Sequence, residues 1–306
     1  MRAPEFWQHR GPLALSLAPL GFLYGATVAL KARFAAPYRP KARVICVGNL
    51  TAGGSGKTPV AMAVAQRLIA RGKKVFFLTR GYGGSEAGPV RVIDQTAAEV
   101  GDEALLLARI APTLVARNRA DGARLADASG ADVIVMDDGH QNFSIAKDVS
   151  LVVLDGFGNG LMIPAGPLRE TVRGGLARAN AVVAFGGSAL KDFSVPVLTA
   201  RLDADSKNFA GKRVFAFSGI GRPEKFVTSL KAAGAIVTGV QFFGDHHPYS
   251  PAEIAALGRQ AKDAILVTTE KDLARLSPQE RQRVAVLTVR AVFEDPALLD
   301  RLLAAV

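Results

Sequence analysis

The segment GNLTAGGSGKTP, residues 48–59, constrains this chain more than any other part of its sequence. It follows ARVICVGN (42–49), a β-branched run that reads as a buried strand. Residues 59–71 then have helical spacing, with Met62, Val64, Ala65, Leu68 and Ile69 on the apolar side and Gly72 as terminator. KVFFLT (74–79) is a second strand. Strand, glycine-rich loop, helix and strand together predict a right-handed crossover in a parallel sheet. In that frame, backbone N–H groups and a helix N-terminus face a bound phosphate. Thr51, Ala52, Gly53, Gly54, Ser55 and Gly56 would form the cradle. Lys57 would reach the β- and γ-phosphates and Thr58 would coordinate Mg2+, so ATP with magnesium is the expected ligand. The general pattern places a glycine where this chain has Thr51; Gly53 and Gly54 still supply flexibility.

The alternation continues along the chain. Helices are expected over 102–110 and 119–129, a short strand over 113–116, and strands at ADVIVM (131–136), SLVVL (150–154) and AVVAF (181–185). A second set opens with RVFAFSGI and continues through a helix at 226–233, AIVTGVQFF, a helix from Pro251 and AILVTT. The expected fold is α/β: a P-loop NTPase-type parallel sheet with helices on both faces, a second smaller α/β lobe, and an N-terminal membrane-associated helix. The expected divisions are 1–41 for the N-terminal segment, 42–193 for the core, 194–211 for a partly extended linker and 212–306 for the second lobe.

Net charge is +11, and residues 1–43 hold seven cations against Glu5 alone. The basic character is thus concentrated at one end rather than spread over a face with interleaved aromatics, which argues against a nucleic-acid partner. No obligate protein partner is evident. Cys46 is the only cysteine, so no internal disulfide forms, which fits a reducing compartment. Residues 11–30 carry no charge and have about the length of a membrane span. A cleaved leader would export a domain that needs ATP and is set aside. A spanning helix, a surface helix and a buried core helix remain. Pro12, Pro19, Gly21 and Gly25 weaken a straight span, while Phe6, Trp7, Phe22 and Tyr24 suit an interface, so surface embedding is favoured.

Asp137 and Asp138, in VIVMDDGHQN (133–142), end an apolar strand. In a parallel sheet that edge also carries the phosphate loop, so both are candidate magnesium carboxylates. Asp102 and Glu103 open a helix, where acids favour the helix dipole, and on the residues alone that ordinary reading is preferred. FFGDHHPYS (242–250) holds His246 and His247, of which one would face a given site; no third ligand completes a zinc set. Arg169, in PAGPLRE (164–170), is either a phosphate clamp or a surface arginine. TTEKD (268–272) follows a strand of the second lobe and would line a cleft expected between the two lobes.

Taken in order, GNLTAGGSGKTP, TRGYGG (79–84), GDE (101–103), DDGHQ (137–141), PAGPLRE, the DHH segment and TTEKD closely resemble the tetraacyldisaccharide 4′-kinase family of Gram-negative bacteria. Thr51 is normal in that family. The resemblance covers nearly the whole chain. It implies transfer of the ATP γ-phosphate to the 4′-hydroxyl of an acylated glucosamine disaccharide 1-phosphate, at the cytoplasmic face of the inner membrane. It further implies Asp102 as the base, His246 assisting it with His247 as the competing choice, Lys57 at the phosphates, Asp137 and Asp138 organising magnesium, and Arg169 with Glu170 near the phosphates. The main rivals are a membrane-attached P-loop switch, for which no Asn-Lys-x-Asp segment is found, and a non-enzymatic nucleotide-binding scaffold.

Overall fold

A computed structural model describes residues 4–186, 193–205 and 208–304. Arg2, the end of the expected core at 187–192, residues 206–207 of the expected linker and residues 305–306 lie outside the described residues. In the first lobe the strands are β1 (Arg43–Asn49), β2 (Val75–Thr79), β3 (Val90–Arg91), β4 (Thr113–Val115), β5 (Val133–Asp137), β6 (Val149–Leu154), β7 (Ala181–Phe185) and β8 (Val197–Ala204). In the second they are β9 (Arg213–Ser218), β10 (Ile236–Phe242), β11 (Ile265–Thr269) and β12 (Ala285–Leu287), and the chain then forms β13 (Val289–Phe293).

The large sheet has the order β13-β8-β7-β6-β1-β5-β2-β4-β3, and the small one β10-β9-β11-β12. Side-chain alternation along the central strands explains the layers. Ile45, Val47, Val133 and Val135 face one side and pack on Val60, Val64 and Leu68 of the helix Lys57–Ile69. Val44, Cys46, Ile134 and Met136 face the other and pack on Ala123 and Ala126 of the helix Arg119–Ala128. Burying each such Val, Ile or Leu contributes ~1.5–3 kcal/mol. Because both faces are covered, the strands read as continuous apolar runs. Strand order and helix placement therefore match the expected P-loop-type fold with helices on both faces. The sheet is mixed, however: β3 and β13, at its two edges, run antiparallel to their neighbours.

The structure differs from the expected divisions at two places. Val197–Ala204, inside the stretch read as a linker, is a strand paired in parallel with β7. Its pattern is mixed because its second half is exposed, which hid it in the sequence. Residues after β12 leave the second lobe: β13 pairs with β8, and Leu299 and Leu303 of the helix Pro296–Leu303 join the core of the first lobe. Asp300 on that helix is ion-paired with Arg67 and Arg71. The small lobe is thus an excursion between β8 and β13, tied to the large sheet at both ends.

The helix Pro12–Arg33 is 22 residues long, and only 22% of its most apolar window is buried. Its inward face is Ala14, Gly21, Gly25 and Val28, while Leu20, Phe22, Leu23 and Leu30 are exposed. The core-helix reading does not describe it. Side chains added at Gly21 or Gly25 would strike the Met162 carbonyl or thioether, so these glycines allow the helix to seat on that loop. Trp7 Nε1 donates to the Pro164 carbonyl at 3.0 Å and Arg10 Nε to the Asn159 carbonyl at 2.9 Å, fixing the start of the helix to the same segment.

Candidate active site

The register of the central strands builds the site. β1 and β5 run in parallel with Val47 beside Asp137, so the chain leaves β1 into the phosphate loop next to the end of β5. Gly48 has the Cβ of His140 2.5 Å from where its own Cβ would be, so the two strand ends meet only because Gly48 lacks a side chain. Gly56 precedes the helix with φ +83°, a left-handed conformation that glycine adopts without strain, and the Phe185 ring closes the space beside it. Thr51 bridges to Leu168, the Ala52 N–H donates to the Pro167 carbonyl at 2.8 Å, and the Arg169 N–H to the Leu50 carbonyl at 2.7 Å. The PAGPLRE segment therefore runs alongside the loop. Asn49 Nδ2 donates to Ser55 Oγ at 2.9 Å and holds the cradle across its base.

Lys57 lies 3.8 Å from Asp138, which also accepts from Arg169 Nη1 at 2.9 Å. Burial pushes the Asp138 carboxyl up, but Lys57 and Arg169 outweigh it and hold it below the usual range. Asp137 is different. Its Oδ2 accepts the Thr58 hydroxyl at 2.9 Å, while its Oδ1 is buried without a partner among the described residues. Burial, with repulsion from Glu103 against the pull of Lys57, pushes Asp137 up to about 7. An orphaned, buried carboxylate oxygen beside a threonine hydroxyl is an oxygen-donor set that suits magnesium.

In the same lobe, Asp102 begins the helix Asp102–Ala108 and is buried. His246 Nδ1 is 3.2 Å from Asp102 Oδ2, and the Tyr82 ring lies 5.3 Å from the His246 ring. Burial raises the Asp102 carboxyl, yet the His246 hydrogen bond and the charges of Lys271 and Arg275 hold it well below its ordinary range. The hydrogen bond to Asp102 in turn raises His246. His247 turns away to Glu253 at 3.0 Å and stacks on Phe243. Of the two histidines, His246 is the one at Asp102.

Glu170 sits behind the loop, paired with Arg178 at 2.6 Å and accepting from Gln141 at 2.9 Å; Gln141 also donates to the Asn49 carbonyl. Its carboxylate is joined to the loop through Gln141. Sequence reasoning missed the cations around Asp102: Lys271 pairs with Glu103, and Arg275 pairs with Asp102. TTEKD gave a partial signal for Lys271; nothing singled out Arg275. It also missed Arg119, whose buried guanidinium donates to the Ala116 carbonyl at 2.6 Å and is pulled down to about 10 by burial.

A strand-end phosphate loop with Lys57 and Thr58, an adjacent aspartate pair and a buried carboxylate–histidine pair define a P-loop phosphotransferase. The family model described as "LpxK: Tetraacyldisaccharide-1-P 4′-kinase" matches residues 13–306. The chain belongs to this family, the phosphotransferases of lipid A biosynthesis. It is 52% identical to the tetraacyldisaccharide 4′-kinase of Paramagnetospirillum magneticum over 318 aligned residues, covering 99% of this chain and 98% of the relative. The corresponding kinase of Rhodospirillum rubrum is 49% identical over 326 aligned residues, covering 99% and 98%. The crystal structure of "apo" form LpxK from Aquifex aeolicus in complex with ATP superposes with a TM-score of 0.81 at 27% identity, covering 95% of this chain and 98% of that one.

Proposed function

We propose that this kinase binds ATP on the 51–58 loop and transfers its γ-phosphoryl group to the 4′-hydroxyl of a tetraacylated glucosamine disaccharide 1-phosphate, with Asp102 as the proton acceptor. The observation that carries the reading is the buried Asp102–His246 pair, in a lobe whose phosphate loop has Lys57, Thr58 and the strand-end Asp137 in place. Lys57 neutralises charge at the β- and γ-phosphates as the bond to the leaving oxygen lengthens. Thr58, Asp137 and Asp138 would hold Mg2+, which would supply charge neutralisation during transfer. Lys57 and Arg169 keep Asp138 ionised, and Arg169 would stand beside the phosphates. Asp102 accepts the hydroxyl proton as the new P–O bond forms, and His246 stabilises the carboxylate before transfer. Because the transition state is largely dissociative, positioning of the hydroxyl outweighs the basicity of Asp102, so a carboxylate held at low pKa is compatible with the role.

The exposed apolar face of the helix Pro12–Arg33, ending in Lys31 and Arg33, supports embedding in the cytoplasmic surface of the inner membrane, from which the lipid acceptor is drawn. The test of the base is single-turnover transfer by Asp102→Asn. Loss of transfer with ATP affinity kept is expected; lost ATP affinity with unchanged turnover of bound substrate would contradict it.

A further inference from the structure

Asp272, the last residue of TTEKD, is a fully buried carboxylate of the small lobe that accepts from five donors. These are the Gly219 N–H at 2.8 Å, the Ser218 hydroxyl at 3.1 Å, the Tyr249 hydroxyl at 2.8 Å, the Thr269 hydroxyl at 2.6 Å and Arg275 Nη1 at 3.1 Å. A carboxylate so held cannot turn. Arg275 Nη1 also donates to the Gly219 carbonyl at 2.9 Å, which leaves the other edge of the guanidinium pointing across the cleft. There Nε, at 3.2 Å, and Nη2 both donate to Asp102 Oδ2. The Arg275 side chain is only 7% exposed between two carboxylates that are 1% and 0% exposed.

We propose that Arg275 is a positioning residue for phosphoryl transfer: anchored on Asp272 in the small lobe, it fixes the orientation and charge of Asp102 in the large one. The inference rests on the reading of Asp102 as proton acceptor. The groups facing Asp102 define what Arg275 adds. His246 approaches from the segment after β10, with Asp245 beside it. Lys271 comes from the helix Glu270–Ala274 but spends its ammonium on Glu103. From its own helix, the Glu103 backbone N–H donates to Asp102 Oδ1 at 2.9 Å. Among the described residues Arg275 is therefore the permanently charged side chain that bonds the carboxylate directly, and its planar fork holds one carboxylate at each edge. A lysine presents a point charge and cannot do both. Because the anchor and the base belong to different lobes, the base is oriented by the docking of the lobes on each other.

The experiment compares pH profiles of kcat, per mole of ATP-binding sites, for the full-length enzyme and its Arg275→Met, Arg275→Lys and Asp102→Asn variants, with KM for ATP and Tm recorded for each. Arg275→Met should lower kcat by about 10- to 100-fold through lost orientation, with KM for ATP within about twofold. Its acid limb should move to higher pH by roughly one unit, because a cation beside the carboxylate has gone. Arg275→Lys should return the acid limb toward the wild-type position without restoring kcat. A merely structural arginine would lower Tm and leave kcat per site and the limb unchanged; that result overturns the proposal. If Arg275→Met does not fold, Arg275→Lys decides: wild-type kcat in the folded lysine variant overturns it, and a reduced kcat supports it. Undiminished transfer by Asp102→Asn would instead remove the reading of the base itself.

Discussion

The Thr58 hydroxyl donates to Asp137 Oδ2 over 2.9 Å, joining the end of the phosphate loop to the end of β5. The second oxygen of Asp137 is buried without a partner among the described residues, and its carboxyl is pushed up to about 7 chiefly by burial. A cation bound there would relieve the cost of burying this carboxylate.

Asp137→Asn should therefore raise the magnesium concentration needed for half-maximal transfer and lower kcat. The same variant should be more thermostable than the parent in magnesium-free buffer at pH 8. The folded state retains a proton that the unfolded carboxyl loses above about pH 4, so burying Asp137 costs progressively more as pH rises from there to about 7. The gain in Tm should shrink toward pH 5. A Tm at pH 8 no higher than the parent's would contradict this account of Asp137.

Lys57 is the loop residue whose loss should be felt most in the chemistry. Lys57→Ala should reduce kcat by roughly 100- to 1,000-fold by removing charge stabilisation that grows toward the transition state. Circular dichroism should be unchanged, since the lysine side chain is not part of a core cluster. A variant with near-normal kcat and raised KM would assign Lys57 to ground-state binding alone.

The Asp102–His246 pair should leave a pH signature in stability. His246 is raised by its bond to Asp102, so its contribution is present in full below about pH 6.5 and is lost as pH rises through the higher folded value. Asp102 is depressed, so its contribution is present above about pH 4 and lost as pH falls below that. His246→Gln should consequently cost more stability at pH 6 than at pH 9. Urea unfolding at the two pH values measures this, and equal costs would show that the bond does not couple to protonation.

The N-terminal helix makes a separate prediction. Gly25→Leu places a side chain on the Met162 thioether and should destabilise the native state by ~1–3 kcal/mol through overpacking. Replacing Phe22, Leu23 and Leu30 with Ser should leave thermal stability nearly unchanged and weaken sedimentation with anionic vesicles. Undiminished vesicle binding by the triple variant would locate membrane contact elsewhere.

Much of this arrangement was legible in the sequence, for identifiable reasons. The loop and Asp137 declare themselves because a parallel sheet sends the ends of β1 and β5 to one edge, and apolar runs mark both strands. Asp102 read as an ordinary helix start, because nothing local distinguishes a dipole-favouring acid from one that a distant histidine and arginine approach. The fold alone brings them to Asp102 across separations of 144 and 173 residues. β8 was hidden by its half-exposed pattern, and β13 by its place directly after the small lobe, where continuation looked simpler than return. Resemblance supplied the acceptor; the residues by themselves supplied only a long apolar helix and the expectation of a triphosphate donor.

The most direct measurement of the central claim is the fate of γ-labelled phosphate when the purified enzyme, ATP and magnesium are mixed with a tetraacylated disaccharide 1-phosphate in detergent micelles. The account predicts label in the lipid phase on the 4′-oxygen, released neither as free phosphate nor attached at another hydroxyl, and its loss in Lys57→Ala and Asp102→Asn. ATP bound and hydrolysed with no label in the lipid would contradict it.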